Sequence, residues 1–264
     1  MTMSAAASIH LSLGEVAAAL ALVAVAVGVS LWQRSDVERD IGVAVARSFV
    51  QLTAIGYVVK VVFEADSIAL VIALISVQAL LGAWTARGRA RSVPGAFWPL
   101  LVALAVAGAG TLGLVVAVGV FPATPRYLVP VGGMVIGNAM TAAAVALNRL
   151  GDDVASAARE IEATLALGAT AAVAVRPHVR RSLRSAVIPL VDQTKTTGLI
   201  TFPGTMVGML LAGAAPVDAV RLQLVLLYVL LGGVSLAALV AVLLAHRAFF
   251  TPAQQLRELP EAGA

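Results

Sequence analysis

The sequence predicts an all-α, polytopic membrane protein with about seven transmembrane helices. Three observations predict this class: a very apolar composition, long continuous apolar runs, and basic residues that cluster in alternate loops. Of the 264 residues, 60% are hydrophobic and 12% are charged, whereas soluble domains are about half apolar and a quarter charged. A lipid-facing exterior accommodates this composition because hydrocarbon replaces water as the solvent.

Seven apolar runs are long enough, or nearly so, to cross the hydrocarbon core as helices, which takes about 20 residues. Each run is bounded by short polar or charged segments, except the sixth, whose ends are the hardest to define. The predicted spans are 13–32, 41–63, 67–86, 97–121, 128–147, one within 187–213, and 217–245.

The loop charges predict the orientation of these spans. Most of the 18 basic residues follow the first, third, fifth and seventh runs, and the alternate loops have few. Because cytoplasmic loops are enriched in Lys and Arg, we expect the N-terminus outside and the C-terminus in the cytoplasm. The first ten residues contain no Lys or Arg, so we expect the first run to remain a membrane helix rather than a cleaved signal peptide. The net charge of +4 resides in these loops, so no nucleic-acid partner is expected.

The motifs of common enzymes do not occur in the sequence. It has no cysteine, no phosphate-binding G-x-x-x-x-G-K-[ST] and no H-E-x-x-H. His10, His178 and His246 lie at or beyond the predicted membrane ends rather than in a cluster. We therefore expect a protein that is not an enzyme and holds no cofactor, so that any ATP and Mg²⁺ would be bound by a partner subunit.

Polar residues inside the predicted spans are candidates for a transport pathway or gate. Arg47 and Gln51 are four residues apart on the second run and so share a helix face. They line a pathway, or Arg47 extends to the cytoplasmic interface with its charge in water. Asn138, in the fifth run, either joins helices by a hydrogen bond or offers an oxygen to a substrate.

The return of the chain to the membrane carries a second candidate group. Asp192 and Lys195 are three residues apart, which suits an ion pair across one helical turn. The pair is part of an elbow in which Pro189 starts a membrane helix, or of an inner gate, or it is a simple interfacial ion pair.

A break in the sixth span is predicted by Pro203 and Gly204, because proline removes a helix hydrogen bond. Broken helices at membrane depth occur where they face protein or a cavity. Met206 and Met209 follow and offer thioether ligands that suit soft metals, or they are ordinary packing residues. The metal ligands of this chain, if it has any, stay unassigned.

Several segments together resemble one family, the FetB-type permeases. The segments that carry the resemblance, in chain order, are Arg47-Ser-x-Val-Gln-Leu52, Gly137-Asn-x-Met140, Glu160-x-Glu-Ala-Thr-Leu-x-Leu-Gly-Ala169, Asp192-x-x-Lys-Thr-x-Gly-Leu199 and Phe202-Pro-Gly-Thr-Met-x-Gly-Met-Leu-Leu-Ala-Gly213. These permeases are membrane subunits of an ABC transporter associated with iron export, and plant relatives include membrane partners of aluminium-tolerance ABC transporters.

The resemblance implies a single transmembrane permease domain over 1–264, in the plasma (inner) membrane, that forms a homodimer and pairs with two cytoplasmic ABC ATPase subunits. It also implies that 149–186 is a cytoplasmic coupling segment within this domain, similar to the loop of ABC importers that docks in the ATPase. The implied ATPase-coupling residues are Glu160, Glu162, Leu165, Leu167 and Gly168.

Two other hypotheses stay open at this point. A self-sufficient secondary transporter or channel would suit the break at Pro203 and the Asp192–Lys195 pair, although no inverted repeat is evident. A membrane scaffold that recruits an ATPase without transporting anything is the third.

Overall fold

The described part of the chain is helical. The structure is a computed structural model that describes residues 13–33 and 37–257, and these contain isolated bridges but no β-strand. Its α-helices are α1 (Leu13–Gln33), α2 (Glu38–Ala65), α3 (Ile68–Arg87), α4 (Phe97–Ala117), α5 (Pro125–Ser156), α6 (Ala158–Ala166), α7 (Ala171–Thr196), α8 (Gly204–Leu211) and α9 (Pro216–Ala245). The prediction of an all-helical fold is thus confirmed for the described residues.

Five described helices are long and apolar enough to cross a membrane: α2, α3, α4, α5 and α9 with the short 3-10 helix that follows it. The apolar part of α1 is shorter. The predicted sixth span does not form one continuous helix, because α7 ends at Thr196 and α8 begins at Gly204. The chain is therefore a membrane protein with several apolar helices, and the count of seven spans and the orientation of the termini stay predictions.

The chain divides into two compact units. The first comprises residues up to Asp66 together with Gly204–Ala219. Within it α1 packs on α2, and the Ser30 hydroxyl donates a hydrogen bond of 2.8 Å to the Glu38 carboxylate across the connection.

The second unit, Ser67–Pro203 and the chain from Val220 onward, is organised around α5. This helix packs against α3, α4 and α7, and its buried face is built mainly of alanine, valine and leucine. Small side chains let helix backbones approach closely, which is the main source of packing energy between helices in lipid. α5 therefore positions the elements on either side of it.

Glycines mark the closest helix contacts of this unit. A Cβ added at Gly132 of α5 would lie 2.9 Å from Ile75 of α3, and one at Gly233 of α9 would lie 2.9 Å from Thr111 of α4. The neighbouring Gly137 has nothing within 4 Å in the structure. Gly133 and Gly137 are four residues apart, a G-x-x-x-G spacing that is typical of helix contacts. The tightest contact of α5 with α3 is nevertheless at Gly132.

The fifth helix runs past the end of its apolar stretch. Arg149 and Asp153 form an ion pair at 3.2 Å, and Asn148 donates to Asp152 at 3.2 Å, both at helical (i, i+4) spacing. These pairs support the helical conformation beyond the predicted membrane end at residue 147. α5 thus continues to Ser156, and α6 begins two residues later at Ala158.

After α9 the chain folds back on itself. Phe249 is fully buried, the Arg257 amide donates to the Phe249 carbonyl at 2.9 Å, and Phe250 pairs with Leu256 in an antiparallel bridge. This C-terminal hairpin (246–257) lies within the second unit.

Candidate functional site

The predicted coupling residues lie together on α6 and the turn that follows it. Ile161 is 1% exposed and anchors the helix to the second unit, whereas Glu160 and Glu162 are exposed. Leu165 is half-buried and Leu167 is 89% exposed. Leu167 is thus a large apolar side chain left exposed at the end of a short helix.

Gly168 ends α6 in a Schellman motif. Its φ is +88°, in the left-handed region, its amide donates to the Leu165 carbonyl at 2.9 Å, and the Ala169 amide donates to the Thr164 carbonyl at 3.3 Å. This pattern satisfies the last carbonyls of the helix and strongly favours glycine at the turning residue. The cap fixes the direction in which Leu167 leaves the helix.

The C-terminal hairpin (246–257) lies beside this segment. The Gln254 side-chain carbonyl accepts a hydrogen bond of 2.9 Å from the amide of Ala171, the first residue of α7. A groove of about 550 Å³ lies between the hairpin and α6, with Glu162 and Leu165 on one wall and Leu256 on the other. The sequence does not predict this contact, because a single glutamine in a polar tail gives no signal of a partner far away in the chain.

His178 lies buried in the first half of α7. Arg181, one turn later, donates from its guanidinium to His178 Nδ1 at 3.3 Å, so Nδ1 is the acceptor nitrogen of a neutral ring. Burial lowers the pKa of His178, the positive charge of Arg181 lowers it further, and the carboxylates of Asp153 on α5 and Glu160 on α6 act in the opposite direction.

Asn138 lies on the exposed side of α5, facing α7 across a small cavity of about 190 Å³. Its side-chain NH₂ donates to the Met134 carbonyl at 2.8 Å. Gln193 of α7 lines the same cavity, together with Thr141 and Pro189. Neither Thr141 nor Gln193 was predicted, although Thr141 lies three residues after Asn138 and Gln193 directly follows Asp192.

Asp192 and Lys195 form the predicted ion pair, with an N–O distance of 3.1 Å. Both side chains are mostly exposed, and an ion pair of this kind contributes little to stability. Pro189 lies inside α7 and does not start a helix. The interpretation in which Pro189 starts a membrane helix at an elbow is therefore wrong.

The remaining candidates lie at the break and in the first unit. Pro203 ends the second unit in the connection between α7 and α8, and Gly204 is the first residue of α8. Arg47 and Gln51 are exposed on α2, one turn apart. Met206 is buried and Met209 is half-buried on α8. The structure thus groups these candidates by helix, and their role in a pathway stays a prediction.

No group of three or more His, Asp or Glu side chains that could hold a metal ion occurs within residues 13–33 and 37–257. The polar side chains that line the small cavity beside Asn138 are two amides and one hydroxyl, those of Asn138, Gln193 and Thr141.

A protein-family model described as "Uncharacterised protein family (UPF0014)" matches residues 13–250, nearly the whole chain. The chain belongs to this family. The resemblance to the FetB-type permeases is confirmed, because a protein named FetB is among the relatives of this chain.

Three relatives of this UPF0014 chain are informative. The UPF0014 membrane protein STAR2 of Oryza sativa subsp. japonica is 40% identical over 91% of this chain and 85% of its own length. The Protein ALUMINUM SENSITIVE 3 of Arabidopsis thaliana is 36% identical over 91% of this chain and 88% of its own. The Probable iron export permease protein FetB of Escherichia coli (strain K12) is 36% identical over 92% and 93%. No solved structure matches the chain.

The buried His178 predicts a pH dependence for the stability of this UPF0014 chain. A histidine whose folded pKa lies below the ordinary 6.5 favours the neutral form, so the unfolded chain binds more protons in this range. Stability should therefore fall as pH drops through 6.5 toward the lower folded pKa. Thermal unfolding in detergent between pH 8 and pH 5 should show a smaller loss for His178→Gln than for the native chain. Equal losses of thermal stability in the two proteins would contradict the lowered pKa of His178.

Proposed function

We propose that this chain is the membrane-spanning permease subunit of an ABC transporter that exports iron or another metal ion, using ATP hydrolysed by a separate subunit. The observation that carries the proposal is α6, a short capped helix that displays Glu160, Glu162 and Leu167 at the surface between α5 and α7. An element of this kind, rigid at its base and exposed at its tip, suits docking into an ATPase cleft. The proposed cargo follows the relative named a probable iron export permease.

In the proposed assembly, two copies of this chain in the plasma membrane bind two cytoplasmic ATPase subunits that hold ATP and Mg²⁺. ATP binding shifts the permease pair between inward-open and outward-open states. The size of the shift is limited by how much more tightly the ATP-bound ATPase binds one state than the other. The buried Ile161 and the Schellman cap at Gly168 support this role, since a coupling helix must move as a rigid body to transmit force.

Affinity purification of the tagged chain from its native membrane in mild detergent tests the proposal. We expect a P-loop ATPase to co-purify in near-stoichiometric amount, and reconstituted vesicles to carry metal ions only when ATP is supplied. A chain that purifies without any ATPase and still carries ions in vesicles without ATP would contradict the proposal and favour a secondary transporter. Co-purification of an ATPase without any metal flux would favour a scaffold.

A further inference from the structure

A cavity of about 380 Å³ lies where the chain after α3 meets α5 and α7. Arg89 comes from the connection that follows α3, Arg149 from α5 and Ser185 from α7. Asn148 and Asp152 of α5 complete its polar lining. Two guanidinium groups from separate elements therefore share one cavity, which we call the arginine cavity.

Arg89 is the unpaired cation of the arginine cavity. Its side chain is exposed and forms no ion pair with any residue that the structure describes. The Arg149 guanidinium instead pairs with Asp153 at 3.2 Å, and the Asp152 carboxylate accepts a hydrogen bond of 3.2 Å from the Asn148 side-chain NH₂. A guanidinium has five N–H donors in a planar fork and no acceptor, and this fork matches the oxygen atoms of a phosphate group. An oxyanion that enters the cavity therefore meets a free guanidinium.

The positive charge continues along α7. Arg181 and Arg184 are exposed and lie within one helical turn of Ser185. Together with the two arginines of the cavity, they outnumber the carboxylates of Asp152 and Asp153. The sequence predicts that this end of the helices faces the cytoplasm, where the membrane leaflet carries anionic lipids.

Tryptophans mark the membrane surface at the same end of the helices. Trp84 in the last turn of α3 and Trp98 in the first turn of α4 are exposed, and each packs edge-to-face with Phe97, at centroid distances of 6.3 and 5.5 Å. The guanidinium carbon of Arg87 lies 3.4 Å from the centroid of the Trp84 ring. Tryptophan is enriched at the boundary between hydrocarbon and water. Arg89, two residues after Arg87, is therefore at the level of the lipid headgroups.

The small cavity beside Asn138 adjoins the arginine cavity, because both are lined by Val145. Apart from Asn138, Thr141 and Gln193, its lining is apolar and consists of Ala142, Val145, Ala186, Pro189, Leu190 and Val234. Asn138 and Thr141 each donate a hydrogen bond to a carbonyl of their own helix. An apolar cavity of about 150 Å³ holds a benzene molecule, so this cavity of about 190 Å³ has room for a stretch of an acyl chain.

We propose that the two cavities together bind one anionic phospholipid, with its phosphate at Arg89 and Arg149 and part of an acyl chain in the small cavity beside Asn138. Basic pockets between membrane helices on the cytoplasmic side are suited to such headgroups. A soluble phosphate would occupy the arginine cavity alone, so the apolar cavity that adjoins it favours a lipid. The inference does not depend on the proposed transport function, and its test uses the chain without an ATPase.

Native mass spectrometry of the purified full chain tests the headgroup contact, with phosphatidylglycerol and phosphatidylcholine of the same acyl chains as probes. We expect the native chain to bind phosphatidylglycerol more tightly, and Arg89→Gln to weaken that binding at least about fivefold. Arg159→Gln is the matched control, since it removes an exposed arginine of α6 that does not line either cavity. No preference for phosphatidylglycerol in the native chain, or equal losses in the two variants, would overturn the proposal.

A matched pair of threonine variants tests the acyl chain and separates a lipid from soluble phosphate. Thr141→Phe fills the small cavity, whereas Thr85→Phe adds the same ring at an exposed threonine of α3 that also bonds a carbonyl one turn back and lines neither cavity. Thr141→Phe should weaken phosphatidylglycerol binding severalfold, and Thr85→Phe should not change it. Equal effects of the two variants, or displacement of phosphatidylglycerol from the native chain by equimolar inorganic phosphate, would overturn the lipid as the occupant.

Photo-crosslinking locates the lipid in the native chain, so that the result does not depend on the folding of any variant. The chain is reconstituted in nanodiscs that contain a phosphatidylglycerol with a photoreactive group on its acyl chain, and the adducts are mapped by peptide mass spectrometry. We expect adducts concentrated on the α5 and α7 peptides that contain Val145 and Leu190. Adducts spread evenly over the exposed faces of the membrane helices would overturn the proposal.

Discussion

Replacing Glu162 with arginine and Gly168 with tryptophan together should remove the partner ATPase from the purified complex and abolish ATP-driven metal flux. The first change reverses an exposed charge on α6. The second places a bulky side chain at a φ of +88°, where side chains other than glycine are strained, and so disrupts the Schellman cap. Disruption of a hot-spot residue of an interface costs about 2 kcal/mol or more, so we expect affinity to fall at least about thirtyfold.

A matched double variant controls for charge reversal and backbone strain as such. Glu64 is an exposed carboxylate at the end of α2, and Gly119, after α4, has a φ of +75° with nothing within 4 Å. The sequence predicts that both lie near the membrane surface opposite the coupling segment, Glu64 just after the second span and Gly119 near the end of the fourth. Glu64→Arg with Gly119→Trp should therefore retain the ATPase. Retention of ATPase and flux by the Glu162→Arg, Gly168→Trp chain would show that α6 is not the docking element.

Two milder single variants show how much the Glu162 carboxylate and the cap at Gly168 each contribute to ATPase binding. Glu162→Gln removes the charge without reversing it, and Gly168→Ala adds a strain of about 1–2 kcal/mol with little bulk. Each should weaken ATPase retention by less than the double variant does. A loss confined to Gly168→Ala would indicate that the geometry of the cap matters more than the carboxylate.

The sequence predicted the helical class because this class depends on local patterns. Apolar runs mark α2, α3, α4 and α5, and the glycine at 168 marks the end of α6 through its backbone requirement. Hydropathy could not predict how far α5 extends, since the pairs Arg149–Asp153 and Asn148–Asp152 hold the helix together after the apolar run has ended.

The course of α7 was less predictable from sequence. Two prolines, Pro177 and Pro189, lie inside it, and each removes a backbone hydrogen bond that normally supports a helix. Packing along α5 compensates for this loss, but such tertiary support has no local pattern. The hydrogen bond from Ala171 to Gln254 was hidden for the same reason.

In the candidate site too, local patterns were predictable from the sequence and tertiary contacts were not. Asn138 and the Asp192–Lys195 pair were recognisable because polar groups are rare in an apolar span. Thr141 and Gln193 were not, since their importance depends on sharing one cavity across two helices. Spacing within α5 places Asn138 and Thr141 on one face, but only the packing of α7 shows that both line a cavity.

Replacing Gly151 with alanine should destabilise the fold, whereas the same change at Gly137 should not. Gly151 packs against Ser92 in the connection between α3 and α4, where an added Cβ would lie 2.7 Å from the Ser92 Cβ and 3.2 Å from its backbone carbonyl carbon. The neighbouring Val93 and Ala96 are buried, so the connection cannot move aside freely. Overpacking of this kind costs about 1–3 kcal/mol, and it should appear as a lower midpoint of thermal unfolding in detergent.

Gly137 is the matched control because it lies on the same helix and an added Cβ there meets nothing within 4 Å. Alanine also favours a helix over glycine by up to about 1 kcal/mol, so Gly137→Ala should unfold at or above the native temperature. Equal destabilisation by both substitutions would show that the exposed face of α5 is packed in the folded protein. A loss confined to Gly151→Ala would support both the packing of α5 against the connection between α3 and α4 and the accessibility of the face that carries Asn138.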